Sequence, residues 1–351
     1  MHLHIIIDSP VFTQSIRQRI HESGQKNTII LVTKSYKEID VYDGESKKTQ
    51  NISQVSQWLS THAIDTLTAH FLSTLAAYLI LRLQNVSIVK WGVWGGDFYD
   101  MPQVRSKYKG PNQRLRALNP KQRLGYQVIN RALRKIDCVF GNLCDLTEID
   151  KTLNLNVNYL QLNHLWDSQR FGILDTALDQ SLILIGNSDD PSNNHKTCIN
   201  QIRQLNSDQD FLIPLSGISN SYTKSLQLKV GAESSAHEVN YIDEFLEKEE
   251  YQKQLSRCSH LVYGHYRQQG MATLFAFLRS GKVCYLQSGN PYYQYLLSEG
   301  FTLYAIDQAT NWKDKLTQEE KKQNKSLIES LFDLELISKQ WRQALNYGKL
   351  D

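Results

Sequence analysis

Long apolar runs are missing from this sequence. The richest stretch, residues 67–83, is interrupted by Thr68, His70, Thr74 and Arg82, which excludes a membrane span and leaves a buried or amphipathic helix. The amino terminus, Met1-His-Leu-His-Ile-Ile-Ile-Asp8, lacks the basic head and long apolar segment of a secretory signal. Cysteine is sparse: Cys138, Cys144, Cys198, Cys258 and Cys284 are odd in number, widely spaced, and mostly set in apolar runs. That pattern argues against a disulfide framework and offers no zinc-ligand spacing, so reduced thiols in a cytoplasmic protein are expected. The adjacent acids Asp189 and Asp190 have no partner ligands nearby in sequence and are read as solvated, not as a metal site. No fixed-period repeat or low-complexity tail is visible. Excess charge is lacking too, since a formal net charge of +3 identifies no partner.

What is present is an ordinary globular composition, 41% apolar and 21% charged over 351 residues, long enough for two cores. Short aliphatic runs at 3–7, 28–32, 86–89, 137–140 and 157–162 read as strands buried on both faces of a parallel sheet. After His70, Leu72, Leu75, Leu79 and Leu83 recur at helical spacing. A second series of runs lies at 181–186, 211–215, 239–242, 260–263, 282–286 and 301–305. Helical patterns over 251–258 and 271–279 fall between them, with Gly281 and Gly300 placed as left-handed caps. The expectation is an α/β domain over 1–165, a hinge over 166–180, a second α/β domain over 181–315, and a helical segment over 316–351. Leu327, Leu331, Leu334 and Trp341 lie on the apolar side of that last segment.

Four stretches stand out chemically. Trp91-Gly-Val-Trp94-Gly-Gly-Asp97-Phe-Tyr99-Asp100 places glycines, flat rings and carboxylates where a strand ends, which suits a crevice floor with Asp97 as a base. The same residues also suit a structural turn, with Asp97 as cap and the tryptophans in the core. The strand ending at Gly186 runs into Asn187-Ser188-Asp-Asp-Pro-Ser192-Asn193-Asn-His195 and then a helix. Such a junction favours phosphate, and its composition fits equally a plain turn capped by Ser192 or Asn193. A second junction follows residues 260–263: Gly264-His265-Tyr-Arg267-Gln268-Gln269-Gly270-Met-Ala-Thr273. Here Arg267 can fork onto a phosphate, the glutamines can bind a sugar or base, and Gly270 lets the helix terminus approach a diphosphate. His265 alone is more often a satisfied structural group.

The fourth stretch, 101–135, carries Arg105, Lys107, Lys109, Arg114, Arg116, Lys121, Arg123, Arg131, Arg134 and Lys135 and no acid. Asn119-Pro120 opens a helix in which Arg123, Gln127, Arg131 and Lys135 recur opposite Leu124, Val128, Ala132 and Ile136. That face suits an anionic membrane surface or a lipid pyrophosphate. Nucleic acid is not the expected partner, because no nucleic-acid motif appears and aromatic interleaving is limited to Tyr108 and Tyr126.

With these stretches in hand, the chain resembles the bacterial Fuc4NAc transferases, which add 4-acetamido-4,6-dideoxygalactose from its TDP form to the lipid-linked precursor of enterobacterial common antigen. The resemblance rests on Trp91-Gly-Val-Trp94-Gly-Gly-Asp97-Phe-Tyr99, on residues 183–195, on Arg267-Gln-Gln-Gly270-Met-Ala-Thr273-Leu, and more weakly on Asn290-Pro291-Tyr-Tyr-Gln294. It implies an α/β GT-B glycosyltransferase, two Rossmann-like domains facing across a cleft, needing no metal and no cofactor. The donor, a TDP-linked sugar, is expected at Gly186, Asn187, Ser188, His195, Arg267, Gln268, Gln269, Gly270 and Thr273. The catalytic base is expected at Asp97, facing the cleft, or at His70, placed at the start of a helix. Trp94, Tyr99, Arg123, Arg131 and Lys135 are expected on the side of a polyprenyl-diphosphate-linked acceptor, at the cytoplasmic face of the bacterial inner membrane. A related transferase of lipopolysaccharide or capsule assembly would show the same motifs. Two readings from other classes remain: a non-catalytic nucleotide-sugar sensor, and a nucleic-acid binder using the basic helix.

Overall fold

The computed structural model describes residues 1–9, 12–110, 117–178, 181–215, 221–233 and 238–348. Arg114 and Arg116 of the basic stretch, and the end of the expected hinge at 179–180, lie outside the described residues. The chain divides into two compact units. The first comprises 1–105, 116–165 and 334–351, and the second comprises 106–115 and 166–333.

The first unit is an eight-stranded sheet of β1 (His2–Ile7), β2 (Thr28–Ser35), β3 (Glu38–Asp43), β4 (Ser46–Gln50), β5 (Ile64–His70), β6 (Val86–Gly92), β7 (Cys138–Gly141) and β8 (Asn158–Gln161), in the order β4-β3-β2-β1-β5-β6-β7-β8. From β2 to β8 the strands are parallel, and Leu3, Ile5, Leu31, Leu67, Ala69 and Val139 are almost wholly buried, as strands covered on both faces require. β1 leads to β2 on one side, and the chain then returns to place β5, β6, β7 and β8 on the other. The sheet therefore reverses between the neighbours β1 and β5, where Ile6 lies beside His70.

Two features differ from the expectation, and a third, a hairpin, was not foreseen. Residues 67–83 are not one helix: Thr66, Thr68 and His70 alternate with Leu67 and Ala69 along β5, and Phe71 then takes φ +79. The helix Thr74–Arg82 follows, capped by the Ser73 side chain. His70 thus ends a strand and does not begin a helix. Residues 38–50 form an antiparallel hairpin whose turn holds Gly44 at φ +57. Edge strand β4 exposes Lys48, a charge that discourages pairing with another chain, and Lys47 joins Lys34 around the buried Asp40 carboxylate. The terminal helical segment is two helices on different units: Gln318–Leu331 belongs to the second, and Leu334–Asn346 to the first. Ile337, Trp341 and Leu345 of the latter are buried, and the Lys90 ammonium, fully buried in β6, donates to the Leu345 carbonyl.

The helix Pro120–Leu133 starts as the sequence implies, with Asn119 and Gln122 closing a reciprocal cap. Its expected apolar face holds at Val128, Ala132 and Ile136 and fails at Leu124. Gly125, Ile129, Ala132 and Leu133 are buried, whereas Leu124 is 63% exposed beside exposed Arg123, Arg131 and Lys135.

The second unit is a six-stranded parallel sheet of β9 (Leu182–Ile185), β10 (Phe211–Pro214), β11 (Val239–Ile242), β12 (Cys258–Tyr263), β13 (Val283–Leu286) and β14 (Tyr304–Ala305), in the order β11-β10-β9-β12-β13-β14. Ile183, Ile185, Phe211, Ile213 and Val262 fill its core. The order reverses once, between β9 and β12, which pair directly.

Buried Asp145 sits in the first turn of the helix Leu143–Leu153 and accepts hydrogen bonds from the Tyr99 hydroxyl at 2.7 Å and the Asn142 amide. Burial, opposed by those donors, pushes its carboxyl up to about 7. A carboxyl raised on folding binds its proton more tightly in the native state, so its contribution falls as pH rises from its ordinary value through about 7. Denaturant unfolding between pH 5 and 8 should show wild type losing on the order of 2 kcal/mol relative to Asp145→Asn, whatever constant offset the amide adds. Parallel pH profiles would contradict the assignment.

Candidate active site

Ligands of open α/β sheets gather beyond the carboxyl ends of the strands where the order reverses. In the second unit that point is flanked by the loops after β9 and β12, the two junctions singled out in the sequence. Gly186 turns the chain at φ +72, and a Cβ there would lie 2.5 Å from His195 Nε2 and 2.9 Å from Asn193 Oδ1, so only glycine fits. Gly270, at φ +66, opens the helix Met271–Arg279, and a Cβ there would lie 2.6 Å from the Tyr263 hydroxyl.

The loops are tied to each other by amide side chains. Gln269 donates to Asn187 Oδ1 at 3.1 Å, and its own Oε1 accepts from Ser192 Oγ at 2.7 Å and Arg267 Nε at 3.3 Å. Fully buried Asn193 accepts from the Asn187 N–H at 3.0 Å and donates to the carbonyls of Ser188 and Asp190. Asn194 donates to the Gly264 carbonyl at 2.7 Å, and Asn290 donates to the carbonyls of His265 and Arg267. Of these, Asn193 entered the sequence reading only as a helix cap; its hub position follows from burial, which composition does not reveal.

The arrangement leaves Arg267 half-buried, its Nη2 4.0 Å from Asp190, with Asn187, Ser188 and Gln268 half-buried on the same two loops. His195 is not at the surface of its helix. Its ring lies under Gly186 with no exposure, its Nδ1 is 2.9 Å from the Tyr222 hydroxyl, and burial pushes it down to about 4. Gln269 joins the loops from within, and Thr273 is half-buried in the first turn of the helix Met271–Arg279. These three shape the site from below, and Arg267 with the amino end of its helix is the group suited to an anion. Among the described residues no group of three or more His, Cys, Asp or Glu is arranged to hold a metal ion.

In the first unit the reversal lies between β1 and β5, beside the tryptophan-glycine loop that follows β6. The expected base Asp97 turns inward. It is 5% exposed, its Oδ2 accepts from the Leu72 N–H at 2.9 Å and Trp91 Nε1 at 2.7 Å, and its Oδ1 accepts from the Trp94 N–H at 3.1 Å. Burial raises its pKa against those donors. Gly95, at φ +91, permits the turn. Asp97 thereby fixes the ends of β5 and β6 relative to each other. Tyr99, expected on the acceptor side, is 1% exposed and packs edge-on against Phe98. Trp94 is half-buried between Phe12 and Trp341, with ring centroids 6.3 and 6.1 Å away.

His70 is fully buried and its protons can be placed. Gln25 donates to the Leu345 carbonyl, so its oxygen faces His4 Nε2 at 2.7 Å and that nitrogen carries the hydrogen. His4 Nδ1 is then a lone pair, and His70 Nε2, 3.1 Å away, must donate to it. His70 Nδ1 is left as a bare lone pair with no partner. Burial, then His4 and Lys90, hold His70 well below the ordinary imidazole range, so it is neutral.

Solved structures share this architecture across nearly the whole chain. Sucrose-phosphate synthase from Thermosynechococcus elongatus superposes with a TM-score of 0.68 at 11% identity, covering 98% of each chain. OtsA gives 0.65 at 9% identity, covering 100% of this chain and 99% of that one. Anabaena HepE, in complex with UDP and glucose, gives 0.59 at 10% identity over 99% of each. The fold is therefore GT-B, and the class of protein is a glycosyltransferase. Within that class the chain belongs to the 4-alpha-L-fucosyltransferase family, glycosyl transferase group 56, whose sequence pattern matches residues 25–349. This is the family that the tryptophan-glycine and Arg267 motifs resemble.

Asp97→Asn places an amide N–H against one of three N–H donors. Thermal unfolding should register a loss of about 1–3 kcal/mol, with turnover falling in step. Wild-type stability with lost turnover would instead return Asp97 to the role of base.

Proposed function

We propose that the chain transfers a deoxyamino sugar of the Fuc4NAc kind from its TDP form to a polyprenyl-diphosphate-linked oligosaccharide in bacterial surface glycan synthesis. The observation that carries this reading is the pair of glycine junctions at the reversal of the second sheet, in a chain of the 4-alpha-L-fucosyltransferase family. The donor diphosphate lies over Gly186, Asn187 and Ser188 and against Arg267, Gln268 and the amino end of the helix Met271–Arg279. His195, Gln269, Gly270 and Thr273 support that surface. The first unit receives the acceptor. In the transfer the acceptor oxygen bonds to the anomeric carbon as the bond from that carbon to the diphosphate oxygen breaks. The electron pair leaves on the diphosphate, where Arg267 and the helix terminus offset the new charge. The hydroxyl proton passes to His70 Nδ1, the group with a free lone pair, while Asp97 positions the loop carrying Trp94.

Calorimetry with TDP, UDP and GDP should show binding selective for TDP, and Arg267→Ala should weaken it at least tenfold, as loss of a charge-assisted hydrogen bond implies. Unchanged affinity would remove Arg267 from the phosphate site.

The helix Pro120–Leu133 keeps the enzyme, as a peripheral protein, at the cytoplasmic face of the inner membrane. Arg123, Arg131 and Lys135 face anionic headgroups, and exposed Leu124 enters among them. No helix among the described residues is long and apolar enough to cross a membrane. At about 1 kcal/mol per charge, replacing the three cations by glutamine should weaken sedimentation with anionic vesicles roughly a hundredfold at low salt. Equal sedimentation of variant and wild type would place the membrane contact elsewhere.

A further inference from the structure

The aromatic rings at the carboxyl end of the first sheet form a continuous series. His4 and His70 stack with centroids 5.4 Å apart, His70 and Trp341 at 6.0 Å, Trp341 and Trp94 at 6.1 Å, and Trp94 and Phe12 at 6.3 Å, every pair within 28° of parallel. The series runs from fully buried His4 to Phe12, which is 40% exposed. It stands at the reversal between β1 and β5, since Phe12 lies shortly beyond β1 and His70 ends β5.

Three neighbouring rings in this series carry buried polar atoms without a hydrogen-bond partner: Trp94 Nε1, Trp341 Nε1 and His70 Nδ1. Native proteins leave few such groups, and three on adjoining side chains call for a common explanation. Their chemistry is complementary. The indoles can only donate, and His70 Nδ1, a lone pair by the proton assignment above, can only accept. The hydroxyls of one sugar supply both kinds of partner: oxygens that accept from the indoles and a hydrogen that goes to the imidazole. A separate sign of constraint lies next to His70: Phe71, a bulky residue, is held at φ +79, and such strained positions cluster at functional sites.

We infer that the Phe12, Trp94, Trp341 and His70 series is the subsite for the accepting sugar, with its hydroxyls held by the two indole N–H groups and the reacting one by His70 Nδ1. Phe12, 40% exposed, offers its ring to the apolar face of the pyranose. This deepens the transferase reading and rests on it. It also gives the helix Leu334–Asn346 a part in acceptor binding, through Trp341.

The test uses the full chain labelled with 15N and the simple glycoside methyl N-acetylglucosaminide as probe, titrated to its solubility limit, with tetrahydropyran as a ring of the same size that has no hydroxyl. The glycoside should shift the indole signals of Trp94 and Trp341 and the Nδ1 signal of His70 together, and tetrahydropyran should leave His70 unmoved. Trp341→Phe keeps the ring and removes one donor, so the affinity for the glycoside should fall about tenfold. If that variant fails to fold, Trp94→Phe, at a half-buried position, is measured instead. Signals that ignore the glycoside, the result expected if the three atoms hold only a structural water, would overturn the inference, as would unchanged affinity in the variant. TDP calorimetry on the same sample separates the readings: loss of TDP binding with responding indoles defeats the donor assignment alone, and the reverse defeats this one alone.

Discussion

Backbone and side-chain polar groups must find partners where adjacent parallel strands part company, and that requirement shapes both units. A strand inside a sheet has its N–H and C=O groups satisfied by its neighbours. Beyond the carboxyl ends at a reversal there is no neighbour, and the groups must be met by side chains. In the second unit Asn193 does this within its own loop, and Asn194, Gln269 and Asn290 do it by spanning from one loop to carbonyls or amides of another. In the first unit one carboxylate, Asp97, gathers two backbone N–H groups and an indole. These bonds tie the loops down, and a loop so held presents its remaining donors at fixed positions.

The two reversals are solved with different chemistry, which follows from what each is proposed to hold. A diphosphate is met by N–H groups, a guanidinium and glycines that let the backbone come close, so the second unit spends neutral amides on its scaffold and leaves Arg267 toward the surface. A sugar offers an apolar ring face and hydroxyls that both donate and accept, so the first unit presents rings with one polar edge. Trp94 and Trp341 each combine a flat apolar face with a single N–H, and His70 adds a lone pair at Nδ1. The neutral state of the deep histidines matters here, since a buried imidazolium beside Lys90 would have no lone pair to offer.

Much of the architecture was legible because strands covered on both faces write themselves as short aliphatic runs, and both series of runs mark strands. The second unit's junctions were legible for the same reason: glycine and turn formers directly after such a run identify a strand's carboxyl end. What could not be read was direction and depth. Thr66, Thr68 and His70 made β5 look like part of a helix, because a polar residue buried among neighbouring strands resembles an exposed one in sequence. The hairpin over 38–50 carried a signal, Asp43-Gly44, that its polar flanks obscured. Asp97 belongs to a recognisable motif, yet only the positions of Leu72, Trp91 and Trp94 show that its carboxylate points inward. The helix Pro120–Leu133 had the right start and an apolar face misread only at its first turn, where Gly125 gives no hydrophobic signal although it packs against Thr74 and leaves Leu124 exposed. The ring series joins residues more than three hundred positions apart, which no local pattern contains.

That separation bears on how the molecule is made. The helix Leu334–Asn346 belongs to the first unit, where Lys90 and Gln25 hold its Leu345 carbonyl, yet the chain reaches it only after the whole second unit. During synthesis the earlier unit therefore waits with Trp94, Phe140 and His70 around an unfilled place, while the later unit already has all of its strands. Closing so long a loop adds to contact order and slows the final step of folding. The half of the molecule begun first is thus the half completed last, and its ring series forms only when both units have been made.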